Sequence, residues 1–261
     1  MFGLIKDLMW PKQGSFTTEE GDRYTGGLDI DQPIGFGEMH YADGIIYKGE
    51  FKWGKKNGKG KMTWPDGSVY LGSFKTDKFH GKGKLIQADG LTFIGGFFKD
   101  KLEGEGTIIF DDSSRYDGQF KKDKMHGQGR LTAKLEVEDG TINYICKGGF
   151  QDNALNGQGY MLATNKETGE WEKYFGEYKD GLPHGAGAEF HSDGEQRLGV
   201  WANGEYIGEW GTKIPVKTKK KTRKKKKDPK PVSQSQSVDD GKIRDLKEYK
   251  IMLANIFTND G

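Results

Sequence analysis

Tyr70-Leu71-Gly72-Ser73-Phe74 recurs along the chain at a fixed interval. Tyr47-Lys48-Gly49-Glu50-Phe51 precedes it, and Phe93-Ile94-Gly95-Gly96-Phe97 and Tyr116-Asp117-Gly118-Gln119-Phe120 follow, each 23 residues from the last. Every copy is followed by a polar stretch and a Gly-x-Gly: Gly58 and Gly60, Gly81 and Gly83, Gly104 and Gly106, Gly127 and Gly129. Asp66-Gly67 and Asp89-Gly90 then mark turns, with Asp112-Ser113 a weaker version. In a strand alternate residues share a face, so Tyr70, Gly72 and Phe74 point one way and Leu71 and Ser73 the other. The polar stretch from Lys75 to His80 suits a hairpin tip, after which Gly81 opens the return strand. Glycines on one face leave a trough that neighbouring rings can fill.

The same register extends outward. An upstream copy starts at Tyr24, with Gly26, Leu28, Gly35 and Gly37; downstream copies start at Cys146 and Tyr174. Gaps of 30 and 28 residues around Cys146 place insertions near Glu136 to Asn143 and Thr164 to Glu172. A degenerate eighth copy keeps Arg197, Gly199, Trp201 and Gly208, but Trp210 replaces its last glycine. One hairpin cannot bury its aromatic face alone, so adjacent copies must stack. The expected fold is all-β, an elongated antiparallel β-hairpin solenoid on the order of 75 Å long.

This pattern resembles the MORN (membrane occupation and recognition nexus) repeat, over Tyr24 to Trp210. The resemblance implies a gently twisted antiparallel solenoid that serves as a scaffold, as in cytoskeletal, ciliary and membrane-junction proteins or beside lipid kinase or methyltransferase domains. Cys146, Arg197 and Trp210 depart from the pattern. The expected organisation is a leader or cap at 1–23, seven clear repeats and one degenerate repeat at 24–211, a polybasic flexible linker at 212–238, and an amphipathic helix at 239–258.

Composition excludes several classes. Hydrophobic residues make up 33%, yet aromatics reach 12% and glycine 41 residues, a balance that suits short strands and tight turns better than a disordered chain. The longest apolar stretches, such as Phe93 to Phe98, fall far below the ~20 residues of a membrane-spanning helix. The start of the chain, Met1 to Trp10, lacks a basic n-region and does not read as a signal peptide. A single cysteine, Cys146, forms no intramolecular disulfide, which suits a reducing cytoplasm; in place of the first aromatic of its unit, it reads as a small buried hydrophobe.

Little in the sequence points to catalysis, and neither a metal nor a cofactor is expected. His80, His126 and His184 share one repeat position. Two hairpins separate His80 from His126, roughly 19 Å at strand spacing, whereas ligands of one zinc must each approach to ~2.1 Å. The Gly-Lys-Gly-Lys strings at Gly58 to Lys61 and Gly81 to Lys84 lack the pattern of a phosphate loop, and the repeat accounts for their glycines. Asp66, Asp89 and Asp193 sit where turns favour aspartate. The aromatic stripe is expected to be core; were the sheet one layer thick, its exposed part would form a groove for a partner helix or peptide.

The formal net charge of +2 averages two different objects. Residues 213–230 hold 11 basic residues and one acid, while residues 1–212 hold 26 basic and 33 acidic, a net of −7. Lys219, Lys220, Lys221, Arg223, Lys224, Lys225, Lys226 and Lys227 form the densest run and are the candidate polyanion-binding residues. Its counterparts are acidic tails of cytoskeletal polymers such as tubulin, anionic lipid, nucleic acid bound without sequence specificity, or a nuclear import receptor. Lysine predominates and no aromatics interleave, which disfavours sequence-specific nucleic acid. Ile243, Leu246, Tyr249, Met252, Leu253, Ile256 and Phe257 fall at helical spacing, and such a helix must dock on the repeats or on a partner. Phe2, Leu4, Ile5, Leu8, Met9 and Trp10 are expected to cap the first hairpin's edge.

The leading expectation is a non-enzymatic scaffold in a cytoskeletal, ciliary axonemal assembly of the cytoplasm. The alternatives are a peripheral adaptor binding anionic phospholipids, phosphoinositides among them, on the cytoplasmic face of a membrane, and a regulatory subunit of an enzyme on another chain.

Overall fold

The structure, a computed structural model, describes residues 11–137 and 140–212. All regular structure among these residues is β-strand, and no helix among them is long and apolar enough to cross a membrane. The strands fall into two compact units, one formed by residues 11–133 with 150–152 and the other by 134–149 with 153–212. The basic run and the expected helix at 239–258, like the leader residues Phe2 to Trp10, lie outside the described residues.

The first unit is a meander of β1 (Lys12–Thr17), β2 (Arg23–Asp29), β3 (Gln32–His40), β4 (Ile46–Lys52), β5 (Lys55–Thr63), β6 (Val69–Lys75), β7 (Lys78–Ile86), β8 (Thr92–Phe98), β9 (Lys101–Ile109), β10 (Arg115–Lys121) and the first part of β11 (Lys124–Val137). Each strand pairs antiparallel with the next. The edge beside the first repeat is taken by β1, which pairs with β2 from Lys12↔Leu28 to Thr17↔Arg23. The second unit holds β12 (Gly140–Gln151) up to Gly149, β13 (Ala154–Asn165), β14 (Trp171–Lys179), β15 (Leu182–His191), β16 (Gln196–Ala202) and β17 (Glu205–Gly208); β13 to β17 again pair in chain order. The insertions expected around Cys146 form no long loops: β11, β12 and β13 lengthen to 14, 12 and 12 residues, and the insertion is absorbed as extra ladder.

The repeat glycines stand opposite one another. Gly49, Gly60, Gly72, Gly83, Gly95, Gly106, Gly118 and Gly129 form one continuous cross-strand row. The tyrosine ring of each repeat lies flat over its own pair. A Cβ on Gly60 would come within 2.5 Å of the Tyr47 ring, and Gly72 and Gly83 are covered by Tyr70 in the same way. Each tyrosine hydroxyl then donates to a carbonyl three residues on: Tyr24 to Gly27 (2.8 Å), Tyr47 to Glu50 (2.9 Å), Tyr70 to Ser73 (3.0 Å), Tyr116 to Gln119 (3.1 Å) and Tyr174 to Glu177 (3.3 Å). The ring is also wedged edge-on between the phenylalanine of its own repeat and that of the next. Tyr47 meets Phe51 at 5.0 Å and Phe74 at 4.9 Å, and Tyr70 meets Phe74 at 5.1 Å and Phe97 at 5.3 Å. Edge-to-face pairs contribute about 0.5–1.5 kcal/mol each beyond the area they bury.

Two of the seven clear repeats lack the tyrosine, as does the degenerate copy at Arg197. In the Phe93 unit no ring of that repeat approaches Gly95 or Gly106; Phe120 of the following repeat comes nearest, at 3.3 Å from a Cβ on Gly106. In the Cys146 unit Tyr178 of the following repeat comes within 2.9 Å of a Cβ on Gly159. Cys146 itself is buried, 4% exposed, as its replacement of a core aromatic predicts.

The hairpin tips are tighter than the polar stretches imply. Only Thr76 and Asp77 lie between β6 and β7, both at positive φ, so the return strand starts at Lys78 and Gly81 sits inside it at a bulge (φ 75). Type I′ turns require two such residues. Aspartate in the second position also links neighbouring hairpins: Asp77 accepts the Lys56 N–H (2.8 Å), Asp100 that of Phe79 (2.8 Å) and Asp123 that of Leu102 (2.7 Å). Where the preceding hairpin offers Pro33 or Pro183, which have no N–H, the tip carries Gly54 or Gly204, whose N–H donates to the proline carbonyl.

Gly60→Ala is expected to lower stability by about 1–3 kcal/mol, with a smaller loss for Gly106→Ala, in urea unfolding; equal, negligible losses would contradict the ring seat. Burial pushes the Tyr41 and Tyr70 hydroxyls up from 10.0 to about 12 and raises Tyr47, Tyr116 and Tyr174 as well. A phenol raised in the folded state stabilises it fully below its unfolded value and loses that contribution as pH rises through the folded one. Melting temperature should therefore fall as pH rises from 10 to 12, with tyrosinate absorbance appearing together with loss of the β signal; titration of all tyrosines near 10 in a folded chain would contradict it.

Candidate binding surfaces

On the ring face of the first unit Tyr47, Tyr70 and Tyr116 are wholly buried, and Phe51, Phe74, Phe97 and Phe120 are 3–5% exposed, so these residues of the stripe are core, while Phe93 is half-buried. The three histidines stay in separate hairpins; His184 accepts the Asn203 N–H at 3.5 Å and His80 packs on Phe98 at 5.2 Å. Among the described residues no three His, Cys, Asp or Glu side chains converge as a metal site would require. The candidate residues Lys219 to Lys227, with Ile243, Leu246, Met252, Leu253, Ile256 and Phe257, lie outside the described residues.

The opposite face of the first unit carries what the repeat analysis left aside. In β5 and β7 the residues between the glycines are lysines, and alternation sends Lys59, Lys61, Lys82 and Lys84 to the side away from the rings. The register aligns them: Lys61 pairs with Leu71, Leu71 with Lys84, and Lys84 with Ile94. Strands β5 to β8 contain eight lysines and no carboxylate; the acids of this stretch are the turn residues Asp66, Asp77, Asp89 and Asp100. Lys59 donates to the Ser73 hydroxyl at 2.8 Å. Among the described residues Lys61, Lys82 and Lys84 make no ion pair.

Large apolar side chains share this face. Leu71 is 58% exposed, Ile94 41% and Ile86 37%, so an aliphatic band lies among the lysines. Beside it an open trough of about 910 Å³ runs over the glycines of β7 to β11, bordered by Lys82, Ile94, Glu105, Asp117 and Arg130. The glycines make the trough because they carry nothing to fill it.

Carboxylates at the margins are already engaged. On β4 the Glu50 carboxylate accepts the Lys59 backbone N–H at 2.7 Å. Glu38 lies 3.0 Å from Lys48 and 2.6 Å from His40, and the Lys48 hydrogen bond holds its pKa below the usual range. On β10 Asp117 is held low chiefly by Arg115 and also accepts from Thr107 at 2.7 Å. The signal for this surface was present in the sequence as lysines at i and i+2 flanking a repeat glycine, two strands apart. It was overlooked because the glycines alone explained the strings.

A second exposed group lies at the hairpin tips. Ile30 (φ 43) and Trp53 (φ 53) are 90% and 63% exposed, at the place where later tips carry Thr76, Lys99 and Lys122.

Stacked hairpins with a tyrosine seated on paired glycines define a β repeat protein. The chain contains five MORN repeats, matched at residues 47–69, 70–92, 93–115, 116–134 and 174–196. MORN repeats are often involved in membrane or protein binding. The hairpins starting at Tyr24 and Cys146 lie outside these matches, yet the first keeps the register, with Gly26 opposite Gly37 and Gly37 opposite Gly49. No curated protein matches the chain in sequence. Among solved structures it is similar to the TCP domain of SAS-4 (dCPAP) of Drosophila melanogaster, solved in complex with a proline-rich motif of Ana2 (dSTIL). That domain is 10% identical, the match covers 72% of this chain and 90% of that one, and the TM-score is 0.33.

Leu71→Ser should change stability by no more than about 0.5 kcal/mol, as expected for a side chain facing water, whereas Phe74→Ala on the ring face should cost about 3–5 kcal/mol. Comparable losses for the two in denaturant unfolding would show that the lysine face is packed against something.

Proposed function

We propose that the protein is a non-enzymatic scaffold that assembles partners within a larger cytoskeletal complex of the ciliary axoneme, with the basic run binding the acidic tails of tubulin. The observation that carries this reading is the segregation of charge. Residues 1–212, of net charge −7, are joined to residues 213–230, which hold 11 basic residues and one acid, and a run of that density binds polyanions by releasing their counterions. The MORN repeats support the scaffold role, because the rings and glycines that recur in register from repeat to repeat hold the hairpins together.

The rival reading is a peripheral membrane adaptor, favoured by the same basic run, since each Lys or Arg near an anionic leaflet contributes about 1 kcal/mol. Co-sedimentation of the full chain, and of a form lacking Lys213 to Lys230, with microtubules and with anionic liposomes at physiological salt distinguishes them. Microtubule binding that disappears with the run is the expected outcome. Liposome binding lost with the run, without microtubule binding, would replace the scaffold by the adaptor, and binding to neither would remove both.

A further inference from the structure

We infer that the face of β5 to β8 turned away from the rings is a docking surface for an acidic amphipathic segment of another protein. Three observations converge on this occupant. First, positive charge is concentrated there against the trend of the array: residues 1–212 carry seven more acids than bases, yet these four strands hold eight lysines and no carboxylate. Second, the lysines that share the face are available. All four are exposed, and the carboxylates at the margins are engaged: Glu50 accepts the Lys59 backbone N–H, Glu105 on β9 accepts from the Gln119 side-chain amide, and Asp117 on β10 pairs with Arg115. Third, the lysines frame apolar surface, with Leu71 and Ile94 exposed between them. A purely solvated face would have no reason to present these side chains in the same row as Lys61 and Lys84.

The spacing suits a helix lying along the repeat axis. Lys61 and Lys84 are two strands apart, as are Leu71 and Ile94, which is roughly 10 Å at normal strand spacing. Residues i and i+7 of a helix are separated by about 10.5 Å. A helix with leucines at i, i+3, i+4 and i+7 would therefore set them over Leu71 and Ile94, while its glutamates would reach Lys61 and Lys84, which alternate with them in the same row, and Lys59 and Lys82 in the row beside it. The glycine-floored trough beside Ile94 leaves room for the helix to approach the backbone closely. Such recognition needs charge and an apolar stripe together, which separates it from simple attraction of polyanions. It rests on β5 to β8 and not on the basic run, so it stands or falls independently of the proposed scaffold role.

The test is fluorescence anisotropy with the full chain and a labelled peptide of about 14 residues, leucines on one helical stripe and glutamates on its flanks. An isomer of identical composition with the stripe scrambled serves as comparison. The striped peptide should bind the wild-type chain roughly tenfold more tightly than the isomer, and Lys61→Glu with Lys84→Glu should weaken it roughly tenfold while melting temperature stays unchanged. Lys59→Gln with Lys82→Gln, which introduces no new charge, should weaken it less, and a striped peptide with lysine in place of glutamate should recover binding to the Lys61→Glu, Lys84→Glu chain. Several results would overturn the inference: no binding of the striped peptide, equal binding of peptide and isomer, or full binding after the lysine substitutions, which would assign the attraction to the basic run. Phosphatidylserine vesicles that bind in a manner dependent on Lys61 and Lys84, with no binding of the peptide, would replace the protein partner by a membrane.

Discussion

Seating a tyrosine ring on two glycines that face each other across neighbouring strands is the contact on which the repeats depend. Any side chain at either glycine would occupy the space of the ring. The ring can lie flat only because both strands are bare there, and once flat its hydroxyl reaches a carbonyl three residues on. That bond satisfies a buried polar atom which would otherwise cost about 1–3 kcal/mol. The same position presents the ring edges to two phenylalanines, one in its own hairpin and one in the next, so the motif ties hairpins together as well as closing each one.

Deviations from the motif show how much compensation it needs. Where Phe93 and Cys146 replace the tyrosine, the fifth-position ring of the next repeat is the one that approaches the glycines. At the Cys146 unit that ring is Tyr178, whose hydroxyl finds no hydrogen-bond partner among the described residues, and burial raises its pKa well above the ordinary value. At the tips a parallel rule operates. In the hairpins from Thr76 to Asp123 aspartate accepts an N–H of the neighbouring hairpin, whereas Gly54 and Gly204 face Pro33 and Pro183 and Gly181 faces Leu155, each glycine bonding to the carbonyl there. Neighbouring hairpins are thus matched at both the ring seat and the tip.

A sheet whose repeat aromatics are gathered on one face leaves the other free to vary between repeats. In β5 and β7 the free positions are lysines, in β9 they are glutamates, and in β10 an aspartate held by Arg115. The repeats therefore share a core while their outer faces differ in charge.

The period, the strand class, the position of the glycines and the burial of Tyr70 and Phe74 could all be read from residues 47–129, because alternation and spacing are local properties of the chain. The place of Cys146 in the core followed from the same register. The sequence also displayed the imbalance between the array and residues 213–230, since charge needs no fold to be counted. Other features depended on which residues become neighbours across strands. The two-residue tip at Thr76-Asp77, the bond from Asp100 to the hairpin before it, and the absorption of the insertions into longer strands are all of this kind. So is the lysine face: Lys61 and Lys84 are 23 residues apart in the chain, and only the register with Leu71 between them makes them one surface. Local pattern determines what each strand is, whereas pairing decides which side chains meet, because contacts between strands join residues that the sequence keeps far apart.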